Sequence, residues 1–363
     1  MSARRAAAAA AMLGLAAGCA GPPAGTVTVS TAPSAARTAG RTPAADGVFG
    51  RSFADQDLDL TVAGGALYLR WDQRPPGPAG TPPLTVLDRV DPVTGQATAR
   101  NTFSPGWVSP PVAAGGALWL TDSTAAGRVL LRLDPATLMV TGELRIPGTE
   151  TPDAGDTGQQ LAFAGGWLWA DSGAQLLRIA PATAAVTAVI PLTAGTFSSR
   201  LGASPDGSTL VVTEMGTRSG AVQRRNPETG AVLASAAMAG PASAAIGGVT
   251  GTSVWVAQST GNFGFVQRLS LATMTPDHAS DVSGTNAIRA LVAAGALWVT
   301  DHAGGTARNY CASAATGRVL APLPMAAAPR ARLLGVTGGH LYYAVPATGG
   351  SRILTVPVPA ACR

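Results

Sequence analysis

A short apolar phrase returns seven times along the chain, each time after a glycine and usually before a polar residue. Its clearest copy reads Gly115-Gly116-Ala117-Leu118-Trp119-Leu120-Thr121-Asp122. One position of the phrase holds an aromatic residue or valine in every copy: Tyr68, Trp119, Trp169, Val211, Trp255, Trp298 and Tyr342. Successive copies are 42 to 51 residues apart. Self-similarity at such a period predicts a repeat architecture.

A second marker follows the apolar phrase with the same period. It reads Asp91-Pro92-Val93-Thr94-Gly95 in the first repeat, and related residues follow at Asp134, Ala180, Asn226, Ser270 and Ser313. Proline presets φ, the Asp oxygen accepts from turn amides, and the closing glycine suits a left-handed bulge position. Each repeat is therefore predicted to contain four strands; in the second repeat they are 108–114, 117–122, 128–134 and 139–146.

The second strand of each repeat is apolar without alternation, as in Ala117-Leu118-Trp119-Leu120. A sheet with one face in water would alternate, whereas a sheet packed between two others would not. Four-stranded repeats of this length are the pattern of propeller blades. The sequence therefore predicts an all-β fold, a seven-bladed β-propeller with four-stranded blades.

Ring closure follows from the strand count. The seventh repeat has three strands, about Ala331–Gly338, Leu341–Val345 and Ser351–Val358, and lacks an outer one. A spare extended segment at about Gly47–Asp55 precedes the first repeat. We predict that this N-terminal segment completes the last blade and closes the ring.

The N-terminus has the features of a targeting segment. Arg4-Arg5 precede an apolar stretch, and Leu15-Ala16-Ala17-Gly18-Cys19 resembles a bacterial lipobox, with Ala16 where the pattern prefers Leu. We expect a lipoprotein-type signal peptide over 1–19, an Ala/Pro/Gly/Ser/Thr tether over 20–45 that forms no core, and the propeller over 46–363. Lipidation of Cys19 would anchor the protein to the outer face of the bacterial cytoplasmic membrane; without it the protein would be secreted.

Two cysteines remain in the exported part of the chain, Cys311 and Cys362. Disulfides persist outside the cytoplasm, so we predict that these two form one.

Charge excludes one class of partner. Charged residues make up 12% of the chain, the net charge is +5, and all 25 basic residues are arginine. No basic run is interleaved with aromatic residues, which argues against nucleic-acid binding. We expect a monomer whose partner is a protein or a small molecule.

The phrases Ala117–Asp122 and Arg132–Thr137 resemble the blade repeats of bacterial YVTN-type, NHL-type and quinoprotein-like propellers. The resemblance covers nearly all of residues 50–363 and implies the propeller fold. It implies no single function, because these families include lyases, lactonases, dehydrogenases and proteins that only bind. The longer Trp docking motif of the quinone-binding dehydrogenases does not occur, so no resident cofactor is expected.

The polar residues at the ends of the second strands are the first candidate site. They are Asp72, Asp122, Asp171, Glu214, Gln258 and Asp301. In propellers this end of the strand faces the side where ligands usually bind, and a ring of carboxylates there can hold a hard cation such as Ca²⁺ in the central channel. The alternative is that these residues only turn the chain.

Asp301-His302 is the second candidate, because it pairs a carboxylate with one of three histidines. Such a histidine can act as a general base in a lyase or hydrolase. The alternative is a solvated loop histidine. No nucleophile elbow, P-loop or dinucleotide fingerprint occurs. The leading hypothesis is therefore a membrane-tethered binding or scaffold module, and the second is a propeller enzyme that uses His302 and the acidic residues.

Overall fold

The computed structural model describes residue 49 and residues 52–53, 58–73, 83–103, 107–124, 127–146, 160–216, 220–238, 243–260, 263–284, 289–301, 308–323, 331–348 and 350–363. The predicted signal peptide and tether lie outside the described residues. Seven antiparallel sheets follow one another along the chain as the blades of a seven-bladed β-propeller, which confirms the predicted fold.

Strands are numbered in chain order, and within blades 1 to 6 the order from the central channel outward is the order along the chain. Blade 1 contains β2 (Asp59–Ala63), β3 (Ala66–Gln73), β4 (Leu84–Val90) and β5 (Ala97–Phe103). Blade 2 contains a split inner strand, β6 (Trp107–Val108) and β7 (Val112–Ala114), followed by β8 (Ala117–Thr124), β9 (Gly127–Leu133) and β10 (Val140–Arg145). Blade 3 contains β11 (Leu161–Ala164), β12 (Trp167–Asp171), β13 (Gln175–Ala180) and β14 (Ala185–Pro191).

The remaining blades repeat this plan. Blade 4 contains β15 (Thr196–Ala203), β16 (Leu210–Gly216), β17 (Gly220–Arg225) and β18 (Val232–Met238). Blade 5 contains β19 (Ser243–Val249), β20 (Ser253–Thr260), β21 (Phe263–Ser270) and β22 (Pro276–Gly284). Blade 6 contains β23 (Arg289–Ala293), β24 (Ala296–Asp301), β25 (Arg308–Ser313) and β26 (Val319–Pro322). Blade 7 contains β27 (Arg332–Thr337), β28 (His340–Ala347) and β29 (Gly350–Pro357).

The seventh blade is completed from the N-terminus, as predicted. Strand β1 (Ser52–Phe53) pairs antiparallel with β29, so that Ser52 faces Arg352 and Phe53 faces Ser351. Phe53 is buried and meets the ring of Trp71 edge-on at 5.3 Å. Of the predicted Gly47–Asp55 segment, the described pairing covers Ser52 and Phe53, and Phe53 lies in the core between blades 7 and 1.

The aromatic column packs between blades. Trp119, Trp169, Trp255 and Trp298 are almost fully buried. Trp169 Nε1 donates to the carbonyl oxygen of Pro227 at 3.2 Å, and Trp255 Nε1 donates to that of Ala314 at 2.9 Å. Both acceptors lie in the outer turn of the following blade, so the two repeated sequence markers contact each other across the blade interface.

The glycine pair between the first and second strands also approaches the next blade. Gly165 and Gly166 have φ of +60° and +78°, as a tight hairpin between right-twisted strands requires. A Cβ on Gly165 would lie 2.5 Å from the carbonyl oxygen of Pro227 in blade 4, whereas one on Gly166 would meet open space. Gly165 is therefore needed for close blade packing as well as for its conformation.

The outer turns share one geometry but not one residue. The closing position has a positive φ in all six: Gly95, Leu138, Ala184, Gly230, Met274 and Gly317. Three of these residues are not glycine, although the left-handed region costs an L-residue about 1–2 kcal/mol. Leu138 and Met274 are fully buried, and burial of a side chain of this size contributes a comparable or larger stabilisation.

The C-terminus is held by the predicted disulfide between Cys311 and Cys362, whose Cα atoms are 6.0 Å apart. Cys311 lies in β25 of blade 6, and Cys362 ends the 3-10 turn Ala360–Cys362 that follows blade 7. The bridge therefore ties the tail of the last blade to its neighbour.

Deletion of residues 46–56 should lower the melting temperature sharply, because it exposes β29 and removes Phe53 from the core. The substitution Phe53→Ala should by itself cost about 3–5 kcal/mol of unfolding free energy. Thermal and denaturant unfolding measure both effects. The matched controls are deletion of 11 residues within the tether and Val93→Ala at an exposed turn position. An unchanged melting temperature after the first deletion would contradict closure by β1.

Gly165→Ala and Gly166→Ala form a matched pair within one turn. Gly166→Ala should cost about 1 kcal/mol, from backbone strain alone. Gly165→Ala should cost about 2–4 kcal/mol, because its Cβ also displaces the outer turn of blade 4. Urea denaturation of the two variants measures the difference, and equal losses would show that the blades do not pack through this contact.

Candidate functional site

The predicted polar residues lie at the ends of the second strands, but their side chains point in two directions. Asp122, Glu214 and Gln258 are each three residues beyond the aromatic column and therefore face the opposite side of the blade from it. Asp72 is four residues beyond it and faces the same side as the aromatic residue, whereas Asp171, two residues beyond it at the end of β12, turns its carboxylate toward Arg128 of the preceding blade. These five side chains do not form one uniform ring.

Glu214 is paired inside blade 4. Its Oε1 accepts from Arg225 Nη2 at 2.8 Å, and its Oε2 accepts from the amide of Thr193 at 3.3 Å. The side chains of both charged residues are at least 96% buried. Burial lowers the pKa of Arg225, and the Glu214 carboxylate beside it partly offsets that effect by favouring the charged form. The pair therefore stabilises the interior of the blade.

Asp171 joins blade 3 to blade 2. Its Oδ1 accepts from the amide of Gly173 at 3.0 Å, and its Oδ2 lies 3.7 Å from Nη1 of Arg128 in blade 2. Arg128 Nη1 also donates to the backbone oxygen of Asp171 at 3.2 Å. Both residues are buried, so this contact fastens one blade to the next.

The other members have different surroundings. Asp72 is partly exposed and accepts from Thr85 Oγ1 at 3.0 Å on the neighbouring strand. Asp122 and Gln258 are buried, and Gln258 Nε2 donates to Gln267 Oε1 at 3.3 Å. Among the described residues, no group of three or more His, Cys, Asp or Glu side chains is arranged to hold a metal ion.

The predicted acid–base pair is described only in part. Asp301 ends β24, where its backbone pairs with Arg308, and its side chain is not described. His302 lies outside the described residues. A catalytic role for these two residues and a ligand-binding role for the six polar residues stay predictions.

A charged cluster that the repeat pattern did not reveal lies at the start of the innermost strands. Asp59, Arg289 and Arg332 are the first residues of β2, β23 and β27, in blades 1, 6 and 7. Arg70 of β3 pairs with Asp59 across the sheet. One sequence signal was available: a charged residue opens the apolar inner strand in these three repeats and in no other described blade.

The arrangement defines the class of protein: a seven-bladed β-propeller whose strand-end acids are partly consumed by contacts within and between blades. No protein-family model matches the chain, and comparison with curated proteins finds no match. Among the described residues, no helix is long and apolar enough to cross a membrane.

Solved structures share the fold. The chain is similar to a puromycin-hydrolysing peptidase of Mycobacterium tuberculosis, with 16% identity, a TM-score of 0.53 and coverage of 91% of this chain and 55% of that one. It is similar to a prolyl endopeptidase, with 14% identity, a TM-score of 0.53 and coverage of 84% and 47%. It is also similar to the computationally designed Ika8 protein, with 11% identity, a TM-score of 0.51 and coverage of 81% and 83%.

The chain therefore spans about half the length of the two peptidases that it matches. Identities this low establish a shared fold and carry no statement about activity.

Glu214→Leu should destabilise the protein by about 3–5 kcal/mol, because it leaves the guanidinium of Arg225 buried without its carboxylate. The double variant Glu214→Leu/Arg225→Met should recover part of that loss, since it removes both buried charges. Guanidinium chloride denaturation of Glu214→Leu, Arg225→Met and the double variant measures the coupling free energy between the two residues. Additive losses would show that the pair does not act as a unit and would leave Glu214 available for a ligand.

Proposed function

We propose that this protein is an exported, membrane-tethered propeller that acts as a binding module for a protein or a small ligand. In this proposal Cys19 carries the lipid anchor, residues 20–45 form the tether, and residues 46–363 form the binding domain. A flexible coil of that length spans roughly 25–30 Å on average, which holds the propeller away from the membrane surface.

The observation that carries the proposal is that two of the strand-end acids already contact arginine residues. Glu214 is neutralised by Arg225 within its blade, and Asp171 lies against Arg128 of the preceding blade. Carboxylates held in this way stabilise a scaffold and are not positioned for proton transfer to a substrate. In this proposal, the surface at the ends of the strands recognises the protein or ligand.

The Cys311–Cys362 disulfide supports export, because such bonds persist in oxidising compartments and are rare in the cytosol. The apolar stretch that follows Arg4-Arg5 supports the same route.

Mass spectrometry of the full chain, expressed in a bacterium that processes lipoproteins, tests the proposal. Under denaturing conditions we expect a chain that begins at Cys19 and carries a covalent diacylglycerol, recovered from the membrane fraction. Under native conditions we expect a non-covalent partner or ligand and no stoichiometric divalent metal.

The control is Cys19→Ser, which should lose both the lipid mass and the membrane association. An unlipidated wild-type chain in the medium would contradict the anchor. One divalent metal ion per chain that disappears with Asp122→Asn would contradict the binding module and favour a lyase or hydrolase.

A further inference from the structure

The charged cluster at the start of the innermost strands brings two guanidinium groups, those of Arg70 and Arg289, to the carboxylate of Asp59. Arg70 Nη2 donates to Asp59 Oδ2 at 2.5 Å, which makes a close ion pair. Arg289 Nη1 lies 4.0 Å from Asp59 Oδ1, at the limit of an ion pair. Asp59 is therefore shared unequally, and within the described part of the chain Arg289 makes only this one ion pair, at the distance limit.

A third guanidinium adjoins this pair. Arg332 Nη2 donates at 2.6 Å to the backbone oxygen of Leu58, the residue before Asp59. Blades 1, 6 and 7 thus each place an arginine around one short segment of chain at the end of the channel. Arginine guanidinium groups present planar pairs of donors that match the oxygens of carboxylates and phosphates.

Accessibility separates Arg289 from the other members of the cluster. Its side chain is 56% exposed, whereas Arg70 is 6% exposed. Contacts with β6 of blade 2 hold Arg70 in place. Its Nη1 donates to the backbone oxygen of Val108 at 2.9 Å, and its guanidinium carbon lies 5.8 Å from the ring centre of Trp107. The cluster therefore combines a fixed, buried arginine, Arg70, with an exposed one, Arg289.

Two buried donors in this neighbourhood point to a missing acceptor. Among the residues that the structure describes, neither Arg70 Nε nor Trp107 Nε1 has a hydrogen-bond partner. A buried donor without an acceptor costs about 1–3 kcal/mol, so such groups are normally satisfied by protein, water or ligand. Arg70 contacts Trp107 and shares Asp59 with Arg289, so these donors favour a ligand rich in acceptor oxygens.

We propose that this cluster is a binding site for a small multivalent oxyanion, one that presents a phosphate or carboxylate group to Arg289, Arg70 and Trp107 at the end of the channel. The site deepens the binding function proposed above by naming a ligand class, and it uses none of the strand-end acids. Asp59 orients Arg70 through their ion pair.

Isothermal titration calorimetry tests the site with two probes, inorganic phosphate and succinate, each added at constant ionic strength to the protein purified from membranes in a non-ionic detergent. Constant ionic strength separates binding from general charge screening. We expect at least one probe to bind with a stoichiometry of one.

Three variants locate the site. Arg289→Gln should weaken binding about 10-fold or more, since a hydrogen bond to a charged group is removed. Arg289→Lys should lose less, because the charge remains and only the paired donors are lost. Trp107→Phe keeps the ring and removes the donor, and should weaken binding about 5-fold.

Arg318→Gln is the matched control, because it removes the same charge as Arg289→Gln. Arg318 is exposed in an outer turn away from the channel. Its affinity should equal that of the wild-type protein. Thermal unfolding of each variant separates a binding defect from a folding defect.

Failure of both probes to bind would overturn the proposal, as would binding that Arg289→Gln and Arg318→Gln reduce equally. Binding that depends on Arg289 but occurs only with vesicles containing phosphatidic acid would also overturn it in favour of a lipid headgroup. None of these results affects the lipid mass or the membrane fractionation, which test the tethered module independently.

Discussion

Packing of the aromatic column against the following blade is the contact on which the architecture depends, and at three interfaces it includes a hydrogen bond to the outer turn. Trp169 reaches Pro227, Trp255 reaches Ala314, and Tyr68 Oη reaches the carbonyl oxygen of Pro135 at 3.3 Å. An indole or phenol buried between sheets must satisfy its polar atom. At these three interfaces the outer turn lies within hydrogen-bonding distance of the column, whereas Trp119 and Trp298 donate to the carbonyl oxygens of Ala114 and Ala293 in their own blades.

Closure of the ring by β1 protects the edge of the last blade. A propeller with an incomplete last blade would leave β29 as an unpaired edge, and such edges are templates for aggregation. Strand β1 covers β29 with two residues, and the buried ring of Phe53 fastens it. At the other terminus the disulfide ties the tail to blade 6. Blade 7 is thus secured on both sides, by β1 at its junction with blade 1 and by the C-terminal tail at its junction with blade 6.

The use of charge distinguishes scaffold from surface. Charged residues are scarce, and several of them form ion pairs inside the blades. Examples are Glu214–Arg225 and Arg100–Asp88. Asp88 is fully buried, and its carboxylate also accepts a hydrogen bond from Trp71 Nε1. Buried pairs of this kind keep polar groups satisfied between apolar sheets. The cluster around Asp59 differs because Arg289 is exposed and, among the described residues, its single ion pair is at the distance limit.

The sequence by itself determined the repeat, the turn chemistry, the number of blades, closure by an N-terminal strand and the disulfide partners. These follow from local conformational rules and from counting strands. Tertiary structure alone decided that Glu214 is consumed by Arg225, that Leu138 and Met274 take left-handed turn positions, and that Asp59 meets Arg289 from a blade 230 residues further along the chain. The physical reason is that the repeat pattern reflects interactions between residues close in sequence within one blade. Charge pairing depends instead on which distant strands the ring brings together.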